Sequence, residues 1–263
     1  MGLFFGMTAC KKVPEKFASA KKLDIKNIGV LGAGLMGAGI TEVSMGKFDI
    51  TMKDAQMDGL ARGLEQIQKS YNGKVKRKRM TQFEADTAMS GVATTTGFDN
   101  FNKVDLVIEA VPEDLALKHK VIQELEKHTK SDYIFASNTS ALPIADIAKA
   151  AKHPENVVGM HYFSPVPKMP LCEIIPSDKT LPEVTAAAFR AGTAQGKTCI
   201  VVKDVPGFYV NRSLGPYMAE TMALVGEGAD PQKLDKALTD AGFPVGPIVL
   251  ADEVYILNIT LHN

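Results

Sequence analysis

A histidine and a carboxylate brought within reach of each other can move a proton, and the stretch 157–175 has the pattern to do this. Val157-Val158-Gly159-Met160-His161 is an apolar run that delivers a histidine at its end. Ser164-Pro165-Val166-Pro167-Lys168-Met169-Pro170 must turn, because three prolines exclude a central strand or a helix. Leu171-Cys172-Glu173-Ile174-Ile175 then reads as a returning strand, which sets His161 and Glu173 symmetrically about Pro167. A hairpin-like return puts the two side chains near each other. A carboxylate beside an imidazole fixes its tautomer and stabilises its protonated form, as is needed to remove a hydroxyl proton while hydride leaves the same carbon. A structural histidine with Glu173 on a solvated face is the competing reading, since a His–Glu spacing alone is no signature.

A hydride needs an acceptor, and the chain offers a site for one. The short apolar strand Ile28-Gly29-Val30-Leu31 runs into Gly32-Ala33-Gly34-Leu35-Met36-Gly37, and residues 36–46 lack proline and read as a helix. Ile50-Thr51-Met52-Lys53-Asp54 is a second strand, ending in an acid 22 residues after Gly32. A strand, a glycine turn, a helix and an acid-tipped strand in this order form the dinucleotide-binding pattern. Gly32 permits the tight turn, Gly34 lets backbone approach a pyrophosphate, and Gly37 permits close helix–strand packing. The helix start at Leu35-Met36 offers unpaired N–H groups to the phosphates. Asp54 accepts from the ribose hydroxyls and repels a 2′-phosphate, and Ala55-Gln56 supplies no arginine to reverse this, so NAD is favoured over NADP. The plain alternative is a glycine-rich structural turn beside a surface aspartate.

Three further groups are ambiguous. Ser137-Asn138-Thr139-Ser140 follows the strand 133–136 at the carboxyl edge, where such sheets bind ligands, and could hold a substrate oxygen or cap the helix that starts near Pro143. Glu113, just beyond the strand 104–110, could face the nicotinamide or merely favour the next helix's N-terminus. The basic run Lys74-Val75-Lys76-Arg77-Lys78-Arg79 reads as a solvated helix face, as a localisation signal, or as a patch for a phosphate-rich substrate.

The elements that must position these groups alternate. Leu60, Leu64, Ile67 and Tyr71 recur at helical spacing, and so do Leu117, Val121 and Leu125. Helix at 144–151 and strand at 198–202 continue the alternation, which predicts a mostly parallel sheet covered on both faces. From Pro206 the pattern turns helical, with Leu214, Met218, Met222 and Val225 on one face, a break at Gly228 and Pro231, and a short helix over 234–241. Residues 13–25 read as a polar linker. The formal net charge of zero, from 30 basic and 30 acidic residues, gives no global field to attract nucleic acid or an anionic membrane. Cys10, Cys172 and Cys199 are too few and too scattered for a disulfide framework or a zinc site, which points to a reducing compartment.

Taken in order, Gly32–Gly39, Asp54, Glu109-Ala110-Val111-Pro112-Glu113, Ser137–Ser140, His161-Tyr162-Phe163-Ser164-Pro165 and Pro206-Gly207-Phe208-Tyr209-Val210-Asn211-Arg212 resemble the L-3-hydroxyacyl-CoA dehydrogenase family. Around Ser164-Pro165 the sequence looks most like the dehydrogenase part of mitochondrial trifunctional-enzyme α subunits, which implies a mitochondrial location. The resemblance implies a Rossmann-type doubly wound α/β domain over 26–205, after a linker remnant over 1–25, and an all-α C-terminal domain from 206 to 263. It implies NAD as cofactor, an acyl-CoA substrate in fatty-acid β-oxidation, and a homodimer or multienzyme complex as the full-length setting. Any membrane association would belong to the parent complex alone. By the same resemblance His161 is the general acid/base and Glu173 its partner, while Ser140 and Asn211 hold the substrate's 3-oxygen. Glu113 and Lys118 match cofactor-side positions, and Ser70 and Arg77 fall where the family contacts coenzyme A, Arg77 standing at the family's lysine position. The pattern stops after Val254, so the helical domain is expected to be incomplete, and a non-catalytic NAD-binding or assembly fragment is the rival reading. A β-hydroxyacid dehydrogenase acting without coenzyme A is a third.

Overall fold

In the computed structural model, residues 6, 8–10, 12–243 and 245–252 are described. The chain divides into two compact units, one ending at Pro206 and the next starting at Gly207. The first unit holds an eight-stranded sheet in the order β3-β2-β1-β4-β5-β6-β7-β8. Its strands are β1 (Asn27–Leu31), β2 (Asp49–Lys53), β3 (Val92–Thr95), β4 (Leu106–Glu109), β5 (Ile134–Ser137), β6 (Val157–Tyr162), β7 (Leu171–Pro176) and β8 (Thr198–Val201). All neighbours pair in parallel except β6 and β7, which are antiparallel. Strands β4, β5 and β6 are buried along their whole length, as expected where helices cover both faces of a sheet.

The helices of this unit include α1 (Glu15–Ala18), α2 (Leu35–Ser44), α3 (Met57–Lys76), α4 (Gln82–Ser90), α5 (Leu115–Leu125), α6 (Ile144–Ile147) and α7 (Pro182–Ala194). In α3 the predicted stripe is the buried one: Leu60, Ile67 and Tyr71 face inward. The linker expected over 1–25 lies partly outside the described residues and contains the short α1. The helix expected over 144–151 is shorter. One α turn passes into a 3-10 turn over Ala148–Ala150. Its first N–H groups are met by a carboxylate from another segment, Ile144 N and Ala145 N donating to Asp204 at 2.8 Å each, so the hydroxyls of 137–140 are not its caps.

The chain order reverses between β1 and β4, which opens a crevice at their carboxyl ends. The register aligns Leu31 with Glu109, Glu109 with Ser137, and Ser137 with Gly159, so the ends of β1, β4 and β5 reach one edge together and β6 runs three residues beyond it. His161 lies two residues beyond Gly159 and on the same face of β6.

The second unit contains α8 (Val210–Gly226), with Pro216 inside it, and α9 (Pro231–Asp240). Asp230 caps α9, accepting from Gln232 N and Lys233 N at 2.9 and 3.0 Å. On α8, Leu214, Met218 and Val225 are partly buried and Met222 is exposed. The segment from Tyr255 to Asn263, where the resemblance stops, lies outside the described residues.

Candidate active site

Each glycine of the turn after β1 meets a different physical demand. Gly32 has φ +95°, and a Cβ there would lie 2.6 Å from the Ala110 carbonyl oxygen. A Cβ on Gly37 would lie 1.8 Å from the Gly32 carbonyl oxygen, so α2 can approach the strand only through glycine. Gly34 is different. Nothing lies within 4 Å of a Cβ there, which leaves open space beside the backbone for a pyrophosphate. Helix α2 starts at Leu35 with Gly34 as its N-cap, and Ala38 N is the N–H that reaches back to Gly34 O, at 2.9 Å. The N–H groups before it, Leu35 and Met36 included, have no carbonyl of their own helix to meet. The cradle therefore fits a dinucleotide.

Asp54 closes this turn as well as facing it. Its carboxylate accepts from Ala33 N at 2.9 Å and from Gln56 N at 3.0 Å. Two oxygens offer about four acceptor sites, so further donors can still be met. Asp54→Ala is therefore expected to weaken NAD binding by about 1–3 kcal/mol, the cost of hydrogen-bonding groups left unmet. Titrating NAD and NADP against both proteins checks this, and equal affinity of the unmutated protein for NADP would overturn the ribose assignment.

The edge of β4 and β5 carries a buried ionic cluster. Glu109, fully buried, accepts four hydrogen bonds: from Val111 N (2.7 Å), twice from the Lys118 ammonium (2.7 and 3.0 Å) and from Ser137 Oγ (2.6 Å). Lys118, 1% exposed, also pairs with Glu113 at 3.2 Å. Expected on the cofactor side, Lys118 instead has its ammonium committed to three carboxylate oxygens, so any influence it has there runs through Glu113. Glu113 in turn accepts from the Thr139 hydroxyl, from Ser140 N at 3.0 Å and from Ala141 N at 3.3 Å. Burial opposes the charge on Glu113, but the Lys118 ammonium and the Thr139 and Ser140 hydrogen bonds outweigh it and hold this carboxyl below its usual range. Of the segment 137–140, Ser137 and Thr139 spend their hydroxyls on carboxylates, and Asn138 Oδ1 accepts from Tyr162 N at 2.9 Å. Ser140 is the exposed hydroxyl of the group.

The histidine and glutamate meet as the symmetry about Pro167 predicts. His161 and Glu173 are cross-strand partners in the antiparallel pair, with Nδ1 2.8 Å from Oε2. His161 is 4% exposed and Glu173 is fully buried. The Phe163 ring lies against the imidazole, centroids 4.5 Å apart. A carboxylate accepts only, so Nδ1 carries the proton in this pair.

The residues expected at coenzyme A are placed differently. Ser70, on α3, donates to Glu42 of α2 at 2.6 Å, and Lys74 pairs with the same buried oxygen at 2.9 Å. This ion pair takes Lys74 out of the solvated basic face. Arg77 is exposed at the C-cap of α3. Asn211 lies in the first turn of α8, in the second unit. A cavity of about 710 Å³ opens at the other edge of the sheet, beside Lys47, Phe48 and Phe83, away from the dyad. Sequence reasoning gave no role to Glu109, and it offered the Thr139 hydroxyl to a substrate oxygen or a helix cap where the structure gives it to Glu113. The clue to Glu109 was a charged residue closing an otherwise apolar strand, because such a charge must find partners when buried.

The chain matches known proteins along most of its length. Residues 27–205 match the family model of the 3-hydroxyacyl-CoA dehydrogenase NAD-binding domain, and residues 207–259 match that of the C-terminal domain, past the Val254 limit read from sequence. The chain is 46% identical over 254 residues to the fatty acid oxidation complex subunit alpha of Vibrio vulnificus, covering 96% of this chain and 36% of that protein. It thus spans about a third of the length of the curated relatives it matches. Among solved structures it resembles FadB2 of Mycobacterium tuberculosis (36% identity, TM-score 0.81) and the (S)-3-hydroxybutyryl-CoA dehydrogenase PaaH1 of Ralstonia eutropha (32%, TM-score 0.82). In both cases 88% of this chain and 83% of the other are covered. The mitochondrial location implied by the resemblance around Ser164-Pro165 is corrected here, because the curated relatives come from bacteria of the genera Vibrio and Shewanella. A dinucleotide cradle, a buried His–Glu pair on the same sheet edge and a match across both domain models make this chain a member of the 3-hydroxyacyl-CoA dehydrogenase family.

Proposed function

We propose that this chain catalyses the reversible oxidation of an L-3-hydroxyacyl-CoA to the 3-ketoacyl-CoA in fatty-acid β-oxidation. The observation that carries the reading is the 2.8 Å contact between His161 and Glu173, buried on the sheet edge that also bears the glycine turn. NAD, when bound, supplies the hydride acceptor. With Nδ1 donating to Glu173, His161 acts at Nε2, taking the proton of the 3-hydroxyl as the carbon is oxidised and returning it in the reverse direction. The Glu173 carboxylate holds the tautomer and offsets the charge of the imidazolium that forms. Ser140 holds the 3-oxygen, steadied through its backbone N–H on Glu113, and Asn211, in the first turn of α8, is a substrate-binding residue of the second unit. Glu113 lines the cofactor side, and Lys118 sets its charge from behind. The adenosine end is held by Asp54, and the pyrophosphate by the backbone at Gly34, Leu35 and Met36, while Gly32, whose N–H donates to Lys53 O, and Gly37 supply the turn and the close packing that place them.

Arg77 meets the anionic groups of coenzyme A from the exposed end of α3. Ser70 is a member of the same wall, although its own hydroxyl is spent on Glu42. The relatives are named as subunits of a fatty acid oxidation complex, which supports a multienzyme setting for this chain; a homodimer of the full-length protein is the other arrangement proposed. No helix among the described residues is long and apolar enough to cross a membrane.

The test is loss of NADH absorbance with acetoacetyl-CoA and with a long-chain 3-ketoacyl-CoA. Turnover of either is expected. Absence of turnover with both, in protein that still binds NAD, would favour a non-catalytic fragment instead.

A further inference from the structure

Between the two strands of the dyad the chain turns through a segment poor in N–H donors, since Pro165, Pro167 and Pro170 have none. Inside this turn Lys168 N and Met169 N both donate to Pro165 O, at 2.9 and 3.0 Å, and Thr198 N donates to Pro170 O at 2.7 Å. The carbonyls of Val166 and Met169 are met from elsewhere. The ammonium of Lys197 donates to both, with Met169 O at 2.9 Å. Lys197 is 7% exposed, and among the described residues no carboxylate lies within ion-pair distance of it. A buried ammonium whose hydrogen bonds go to carbonyls is costly to take out of water.

Its surroundings link three parts of the site. Lys197 follows Gln195 and Gly196 in the turn between α7 and β8, where Gly196 has φ +84°. Gln195, also buried, accepts from the hydroxyl of Tyr162 at 2.6 Å and donates to Ser44 Oγ at 2.8 Å. Tyr162 is the neighbour of His161, and Ser44 closes the dinucleotide helix α2. On the same helix, a Cβ on Gly39 would lie 2.8 Å from the Val166 side chain, so the held turn rests directly on α2. The register of an antiparallel pair has period two, and a slip of one residue would swing Glu173 to the opposite face from His161.

We propose that Lys197 is a positioning residue for the His161–Glu173 pair: by fixing the proline-rich turn it holds the β6–β7 register that sets the carboxylate on Nδ1. The proposal rests on reading His161 as the acid/base, and its test has an arm that does not depend on turnover. Lys197→Met, Lys197→Arg and the milder Lys197→Gln are compared with the unmutated chain by nitrogen NMR of the histidine rings, with the His161 signals identified by their loss in His161→Gln. Reduction of acetoacetyl-CoA is measured in parallel. In Lys197→Met the His161 signals are expected to leave the pattern of a single Nδ1–H tautomer, and kcat to fall about 10- to 100-fold, as a misplaced reacting group would produce. KM for NADH should change little, and Lys197→Arg should restore most of both readouts. Should Lys197→Met fail to fold, Lys197→Gln is read in the same way. A folded neutral variant with unaltered His161 signals overturns the proposal, whether or not turnover falls. Failure of the unmutated chain to turn over acetoacetyl-CoA would instead count against the dehydrogenase reading, and the NMR arm would still decide the role of Lys197.

Discussion

His161→Gln is expected to lower kcat by about 10²–10⁴-fold, the usual range for a positioned acid/base, while NAD binding stays intact. The reason is geometric. His161 stands at the carboxyl end of β6 with its Nδ1 taken by Glu173 at 2.8 Å, and the glycine cradle is built from β1, β2 and α2 instead. Glutamine can still hydrogen-bond to Glu173 but cannot take up a proton. Glu173→Gln should also slow turnover, because the amide no longer offsets the imidazolium charge. The two changes act on one unit, so the double variant should lose less than the product of the single losses. Stopped-flow measurement of NADH oxidation, with NAD binding followed separately, decides the matter. Unimpaired turnover in His161→Gln would rule out this base.

Lys118→Met should destabilise the first unit by about 3–5 kcal/mol, the cost of removing one partner from a buried ionic pair. Glu109 is fully buried and would lose its countercharge, and Glu113 would lose the ammonium that holds its carboxyl low. The pH dependence follows from the sign of that shift. In the unmutated protein, a Glu113 carboxyl held below its usual range stabilises the fold above the ordinary glutamate value of about 4.3, and that contribution is lost as pH falls toward the folded-state value. In Lys118→Met two carboxylates face each other without a cation, so mild acid should relieve the variant before it weakens the parent. Urea unfolding at neutral pH and at mildly acid pH measures this, and the stability gap should narrow in acid. A gap under about 1 kcal/mol at both pH values, the scale of an exposed ion pair, would show that the cluster is not the buried unit described.

What could be read from the sequence is what the chain accomplishes locally. The three glycines, the acid at the tip of the second strand and the His161–Glu173 register are set by short-range rules: a turn needing φ above zero, a strand period of two, and a hairpin about Pro167. Helix α4 and strand β3 were missed because they bury little, Ala85 alone on α4, and so leave no hydrophobic stripe. The capping box of Thr81 and Glu84 was the clue left unused. Helix α7 was missed because its buried residues run unbroken from Val184 to Phe189 and resume at 191 and 192, so they show no stripe at helical spacing. The tertiary structure decided the partners that lie far apart in the chain. Ser70 meets Glu42 across 28 residues, Ser137 meets Glu109 across 28, Asp204 caps α6 across 60, and Lys197 reaches the hairpin turn across 31. None of these pairings has a local period to betray it. Each exists because packing buries a polar group away from water, and a group so buried must find whatever partner the neighbouring strand or helix presents.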